Sequence, residues 1–253
     1  MGFSLPVTSG LVRTGEERAQ LVRRTYSLVF ISVLVTVVGA TYALSNAAIM
    51  DAVRVHPWLT MIAVFVPLLA AQSARNRFPL NVSLVLLFSF AMGVMVGPVI
   101  AVYGGWNSGL ITEAAAITVG AFGVLTLYAF VSRRDFSAWG SFFMVGLFVL
   151  IATTFLSFFF HNATSDLWLA GGTVLVFSGL LVFDTWRLRN VYGPEDYVLA
   201  AVAIYLDLLN MFLAILRILG GGRRPSPLRA ADRAGPRACP FSYLLTASPR
   251  ILS

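Results

Sequence analysis

The chain contains no lysine. Retinal binding and other Schiff-base chemistry in a terminal helix need a lysine amine, so that class is excluded. Only one of the 253 residues, Cys239, is a cysteine, which leaves no internal disulfide framework. Charge is scarce as well. Asp, Glu, Lys and Arg make up 11% of the chain against 58% hydrophobic residues, and the mean hydropathy is +0.83. That balance lies outside the range of soluble domains and defines an integral membrane protein, whose first partner is the lipid bilayer. Also missing are an HExxH pair, a Cys and His cluster and a Walker glycine loop. Metal hydrolysis and nucleotide chemistry therefore have no support, and no resident cofactor is expected.

What charge there is carries information. The formal net charge is +7, yet Arg223, Arg224, Arg229, Arg233, Arg237 and Arg250 all follow residue 222. The remainder has only a small basic excess, which suits cytoplasmic loops better than phosphate contacts, and no nucleic-acid partner is expected. Residues 1–24 form a cytoplasmic N-terminal segment in which "EERAQLVRR" reads as a short helix feeding into the membrane. It is no signal peptide, because its charges run up to the first apolar stretch with no small-residue cleavage site after it.

A membrane-spanning helix takes about 20 apolar residues. Runs of that kind fall at 26–44, 58–72, 78–103, 110–131, 138–161, 167–186 and 197–219. The predicted fold is an all-α integral membrane protein, a seven-transmembrane-helix bundle over residues 25–222, with 223–253 a basic, disordered tail. Arg75 and Arg77, Arg133 and Arg134, and Arg187 and Arg189 fall in alternate loops, which places the N-terminus in the cytoplasm. Counting seven crossings sends the C-terminus outside, against the pull of its basic tail. In the third span, Gly93 and Gly97 of "GVMVG" are spaced for close helix approach, expected inside the bundle rather than between copies.

Two carboxylates stand where they are least welcome, Asp184 in "LVFDTWRLR" and Asp207 in "IYLDLLNMFLAIL". Each costs on the order of 3 kcal/mol in the hydrocarbon and must face the bundle interior. Gly193 and Pro194 turn the chain between them, with Gly193 as a helix-stop glycine and Pro194 at a first helical position. Counting from that turn sets the two acids within roughly one helical turn of the same depth. In contact, they would share a proton and titrate as a pair. Ionised, they would attract a hard divalent cation, so a transient calcium contact is expected there. Asp184 could instead pair with Arg187 one turn on, as a surface carboxylate does; Asp207 has no cation within a turn. Asn210 could line the same cavity or bridge two helices. Glu113, at the outer start of span four, suits an interfacial acid or the guard of an external mouth. Arg217, His56 and His161 read as interfacial.

Two acids on successive helices also occur in intramembrane aspartyl proteases. Those carry YD and GxGD motifs, whereas this chain has "VFDT" and "YLDL" with no glycine beside Asp207, so the expectation is that it is not an enzyme.

With these residues in view, the chain resembles the Bax inhibitor-1 family, particularly its bacterial members, over residues 18–222. The resemblance rests on "RRTYSLVF", "GPVIAVY", "TLYAFVSRRDFSAWGSFFMVGLFVLI", "LVFDTWRL" and "IYLDLLNMFLAILRILG" taken together. It implies a seven-helix fold with the last helix central, and a pH-sensitive calcium leak channel of the bacterial inner membrane. The family's proton-sensing aspartates fall on Asp184 and Asp207. An arginine that latches the closed state would be Arg75 or Arg77. Calcium is then the permeant ion, not a cofactor. Relatives that resemble stress or protease modulators imply the alternative, a non-conducting modulator of a membrane-protein partner. Beyond residue 222 the chain departs from the family pattern, and no tail function follows from it.

Overall fold

The computed structural model describes residues 15–74, 77–104, 109–157 and 163–221. Arg75, His161 and the tail fall outside that range. Among the described residues the regular structure is all helical, without strands. Helix α1 (Gly15–Ser45) takes in most of the charged stretch expected as a separate feeder, so the boundary at residue 24 is not a break in structure. Asn46, extended at φ −125° and ψ 100°, separates it from the short α2 (Ala47–Val55). Then α3 (Pro57–Ser73) leaves at 102° to α2. The cause is local. His56 precedes a proline and is driven out of the helical region, while Pro57, lacking an N–H, loses nothing by starting the next helix. The remaining helices are α4 (Leu80–Val102), α5 (Gly109–Val131), α6 (Trp139–Ser157), α7 (Ala163–Asn190) and α8 (Tyr197–Gly221).

Five of these, α1, α4, α5, α7 and α8, are long and apolar enough to cross a membrane, and the bent α2–α3 pair makes a sixth. The protein is therefore multi-pass. The sequence predicts seven runs. The difference lies in α3, which reaches spanning length only together with α2, and in α6, whose apolar stretch Trp139–Thr153 is short.

Helices α1 and α4 lie parallel along a seam of small residues. A Cβ on Gly39 would strike the carbonyl of Phe90, one on Gly93 the carbonyl of Thr36, and one on Gly97 the methyl of Ala43. The "GVMVG" spacing thus serves contact within the chain. Buried hydroxyls along the same helices bond back to their own backbone, Thr36 to the Ser32 carbonyl at 2.8 Å and Ser89 to that of Val85 at 2.9 Å. The Thr36 hydroxyl also meets the Tyr205 hydroxyl of α8 at 2.7 Å. Helix α8 packs on α1, α4, α5 and α7 and is the most covered of the five long helices: 56% of its apolar window is buried, against 17% for α5.

The two ends of the bundle can be told apart. Tyr26, near the start of α1, bonds Thr185 near the end of α7 at 3.3 Å, and α1 also packs on the turn leading into α8. At the other end, Gly220 and Gly221 of α8 abut Tyr103 after α4 and Leu167 early in α7. The start of α1 and the end of α8 thus sit at opposite ends.

Candidate acid-pair site

The site lies where α7 turns into α8. Helix α7 stops at Asn190, and the N–H groups of Val191 and Tyr192 both donate to the Arg187 carbonyl, at 2.8 and 3.0 Å. Gly193 is not the left-handed stop glycine that the sequence predicts. Its φ is −79° and ψ 168°, and its N–H donates to the Asp196 carboxylate at 2.9 Å. It opens a single 3-10 turn, Pro194–Asp196, with Pro194 at the first position, and α8 follows directly. The helix-ending carbonyls of α7 are closed before Gly193, so no positive φ is required of it.

This antiparallel hairpin brings Asp184 and Asp207 together. The two are 7% and 4% exposed, and their carboxyl groups lie close enough to interact directly. Two carboxyl oxygens at such close quarters can bond only when a proton lies between them. The alternative partner is engaged as well. Arg187 donates from Nη1 to Asp184 Oδ1 at 3.3 Å, in i, i+3 spacing. Its guanidinium lies 4.7 Å from the Tyr192 ring centroid and 5.5 Å from that of Phe183, which fixes the fork against aromatic faces. Asp184 therefore bridges a cation at the helix end and an acid in the bundle. Tyr192, in the turn outside both spans, is buried beside them. Burial pushes its phenol up to about 12, and the negative charge of Asp184 adds to the effect.

On its other side Asp207 is incomplete: Oδ2 is buried and has no hydrogen-bond partner among the described residues. Thr25 Oγ1 on α1, at the same end of the bundle, shares that condition, while Thr126 Oγ1 on α5 lies beside the Tyr26 hydroxyl. Two orphan oxygens from two helices mark this end as a place with polar capacity to spare. The neighbouring Arg189 is engaged elsewhere. It donates to the carbonyls of Phe130 at 2.6 Å and Ser132 at 3.1 Å, closing the C-terminal end of α5.

The other residues singled out in the sequence lie apart from the pair. Asn210, one turn beyond Asp207, turns its amide back to the Leu206 carbonyl at 2.8 Å. Glu113 is exposed on the first turns of α5, about 25 Å along that helix from Phe130 and so at the opposite end. Arg77 is exposed in the turn between α3 and α4. Arg75, the other latch candidate, falls outside the described residues. What sequence reasoning missed is the aromatic clamp, Tyr192 with Phe183, and the hydroxyl partners Thr185, Tyr26 and Thr36. A signal existed for the hydroxyls, since Ser32 and Thr36 are polar at i, i+4 in an apolar helix.

Residues 18–224 match the family model described as "Inhibitor of apoptosis-promoting Bax1". The chain is 32% identical over 205 residues to protein lifeguard 4 of Mus musculus, covering 80% of this chain and 85% of that one. It is 33% identical over 208 residues to Bax inhibitor 1 of Schizosaccharomyces pombe, covering 80% and 77%. An uncharacterized protein of Helicobacter pylori is 28% identical over 207 residues, covering 81% of this chain and 87% of its own.

Proposed function

This chain belongs to the Bax inhibitor family, and from that membership and the buried acid pair we propose that it is a pH-sensitive calcium leak channel of a bacterial inner membrane. The observation that carries the reading is the Asp184–Asp207 contact, with one oxygen of Asp207 left over in the bundle. A shared proton is a switch: with it the pair holds α7 against α8, and without it two like charges press on the same seam. The ionised pair also offers carboxylate oxygens to a hard divalent cation, which calcium suits. No catalytic step is assigned and no cofactor is required.

In this reading the fold is a seven-helix bundle with α8 at its centre, α2–α3 and α6 each completing a crossing. The burial of α8 and its packing on α1, α4, α5 and α7 support that arrangement. The alternating arginine loops support a cytoplasmic N-terminus, which puts the acid pair near the cytoplasmic side. The Helicobacter pylori relative shows that proteins of this kind occur in bacteria, whose inner membrane would take up such helical spans. Past Asp207 the buried residues of α8 are apolar, Leu209, Met211, Ala214, Ile215 and Leu216, and in this reading they would close the path.

The test is calcium flux into liposomes containing the purified protein, followed across a pH series. Wild type should leak with a defined pH midpoint, and Asp184→Asn and Asp207→Asn should each lose it. No flux above empty liposomes at any pH would overturn the channel reading and leave a non-conducting modulator of a membrane-protein partner.

A further inference from the structure

A second feature of the bundle lies on the opposite flank of α8 from its acid. Near the acid-pair end α1 and α5 touch, the Tyr26 ring standing edge-on to Phe122 at 6.1 Å between centroids. Further along they part and become the walls of a crevice of about 160 Å3 whose floor is α8 and whose end is α4. Val37 lines it from α1, Ala115 and Val119 from α5, Leu208 and Phe212 from α8, and Ile100 from α4.

Its chemistry narrows the occupant. The hydroxyls on its lining are already committed, Thr36 and Tyr205 to each other at 2.7 Å and Thr118 to the Ala114 carbonyl at 2.7 Å. A water or a lipid headgroup would find no partner there. A peptide strand would bring backbone polar groups with nothing to receive them. An apolar cavity of this size, about 150 Å3, stays dry and takes up an apolar molecule such as benzene. Its shape narrows the occupant further. The lining runs over Val33 to Ala40 on α1 and over Tyr205 to Phe212 on α8, each two helical turns or about 10 Å. The crevice therefore lies along the helices, as lipid chains lie in a bilayer, and at the middle of α1 and α8, the hydrocarbon level. It is continuous with outward apolar surface: Val119 is 66% exposed, Leu34 50% and Val37 42%.

We propose that the crevice between α1 and α5 is a binding site for a single acyl chain of a membrane lipid. Its floor is the helix that carries Asp207, so the chain would lie against the flank of α8 that faces away from α7. The site stands on its lining and direction and does not depend on calcium passage.

The experiment places the full chain in phosphatidylcholine vesicles in which one acyl chain carries a diazirine near its methyl end. Adducts are mapped by mass spectrometry after illumination. Wild type should be labelled at Leu208 and Phe212, half-buried positions of α8, as well as at outward Leu34 and Val124. Ala115→Leu, which fills the crevice from the α5 side, should lose the α8 adducts and keep the outward ones, while Ala115→Ser keeps both. Should Ala115→Leu not elute as a folded species, Val37→Phe fills the crevice from the half-exposed α1 wall and must give the same loss. Wild-type adducts confined to outward residues would overturn the site. So would α8 adducts that survive filling.

Discussion

The α1–α4 seam and the α7–α8 seam hold the same bundle by different means. The first is parallel and uncharged, and closes through glycines so tightly that a single added carbon at Gly93 would meet the backbone of Thr36. The second is antiparallel and is held by two acids, an arginine and two aromatic rings. Without a hydrophobic force between helices in lipid, close packing fixes the first seam in a single arrangement. In the proposed function the second depends on a proton and would be changed by one. A membrane protein that must respond to pH while staying folded is served by keeping these two kinds of contact apart.

The comparison breaks first at the glycines. Gly93→Leu forces backbone apart with no flexible side chain to yield, and should cost about 3 kcal/mol. A melt in detergent checks it, and a melting temperature equal to wild type would mean that the seam is looser than drawn. Next comes Arg189→Gln, which releases two carbonyls at the end of α5. About 1.5 kcal/mol is expected for lost bonds to a charged donor. Hydrogen exchange should show it as faster opening of the last turn of α5, leaving α1 and α4 untouched. Smallest in stability is Arg187→Gln. Its ion pair with Asp184 is partly exposed, so less than about 1 kcal/mol is at stake in the melt. Its effect should appear instead in the pH series of calcium flux, as a displaced midpoint. An unmoved midpoint would leave Arg187 as surface decoration and make the acid pair self-sufficient.

Much of the helix layout was legible because hydrocarbon is an intolerant solvent: apolar runs have to be long, and a charge inside one needs a reason. Cost alone singled out Asp207, and the spacing about Pro194 predicted that Asp184 would lie near it in depth. Other features were beyond reach. Helix α2 is nine residues, too short to register as a run, and its bend from α3 needs His56 and Pro57 to be read as a corner rather than a loop. The charged start of α1 is helical although it is not apolar, since apolarity reports on solvent and not on backbone. Arg187, Tyr192 and Phe183 meet only after the chain has turned, and no periodicity in the sequence signals such a clamp. Helix α7 runs on to Asn190, past the apolar run that ends at residue 186, for the same reason as the start of α1.

The separation of the start of α1 from the end of α8 has a consequence for anyone attaching reporters. Because Gly15 and Gly221 lie at opposite ends of the bundle, labels attached at those two residues face different sides of a sealed vesicle when the bundle spans it. A membrane-impermeant quencher or protease added on one side should reach one label and spare the other. The fraction of protein losing each label then reports the proportion inserted in either direction.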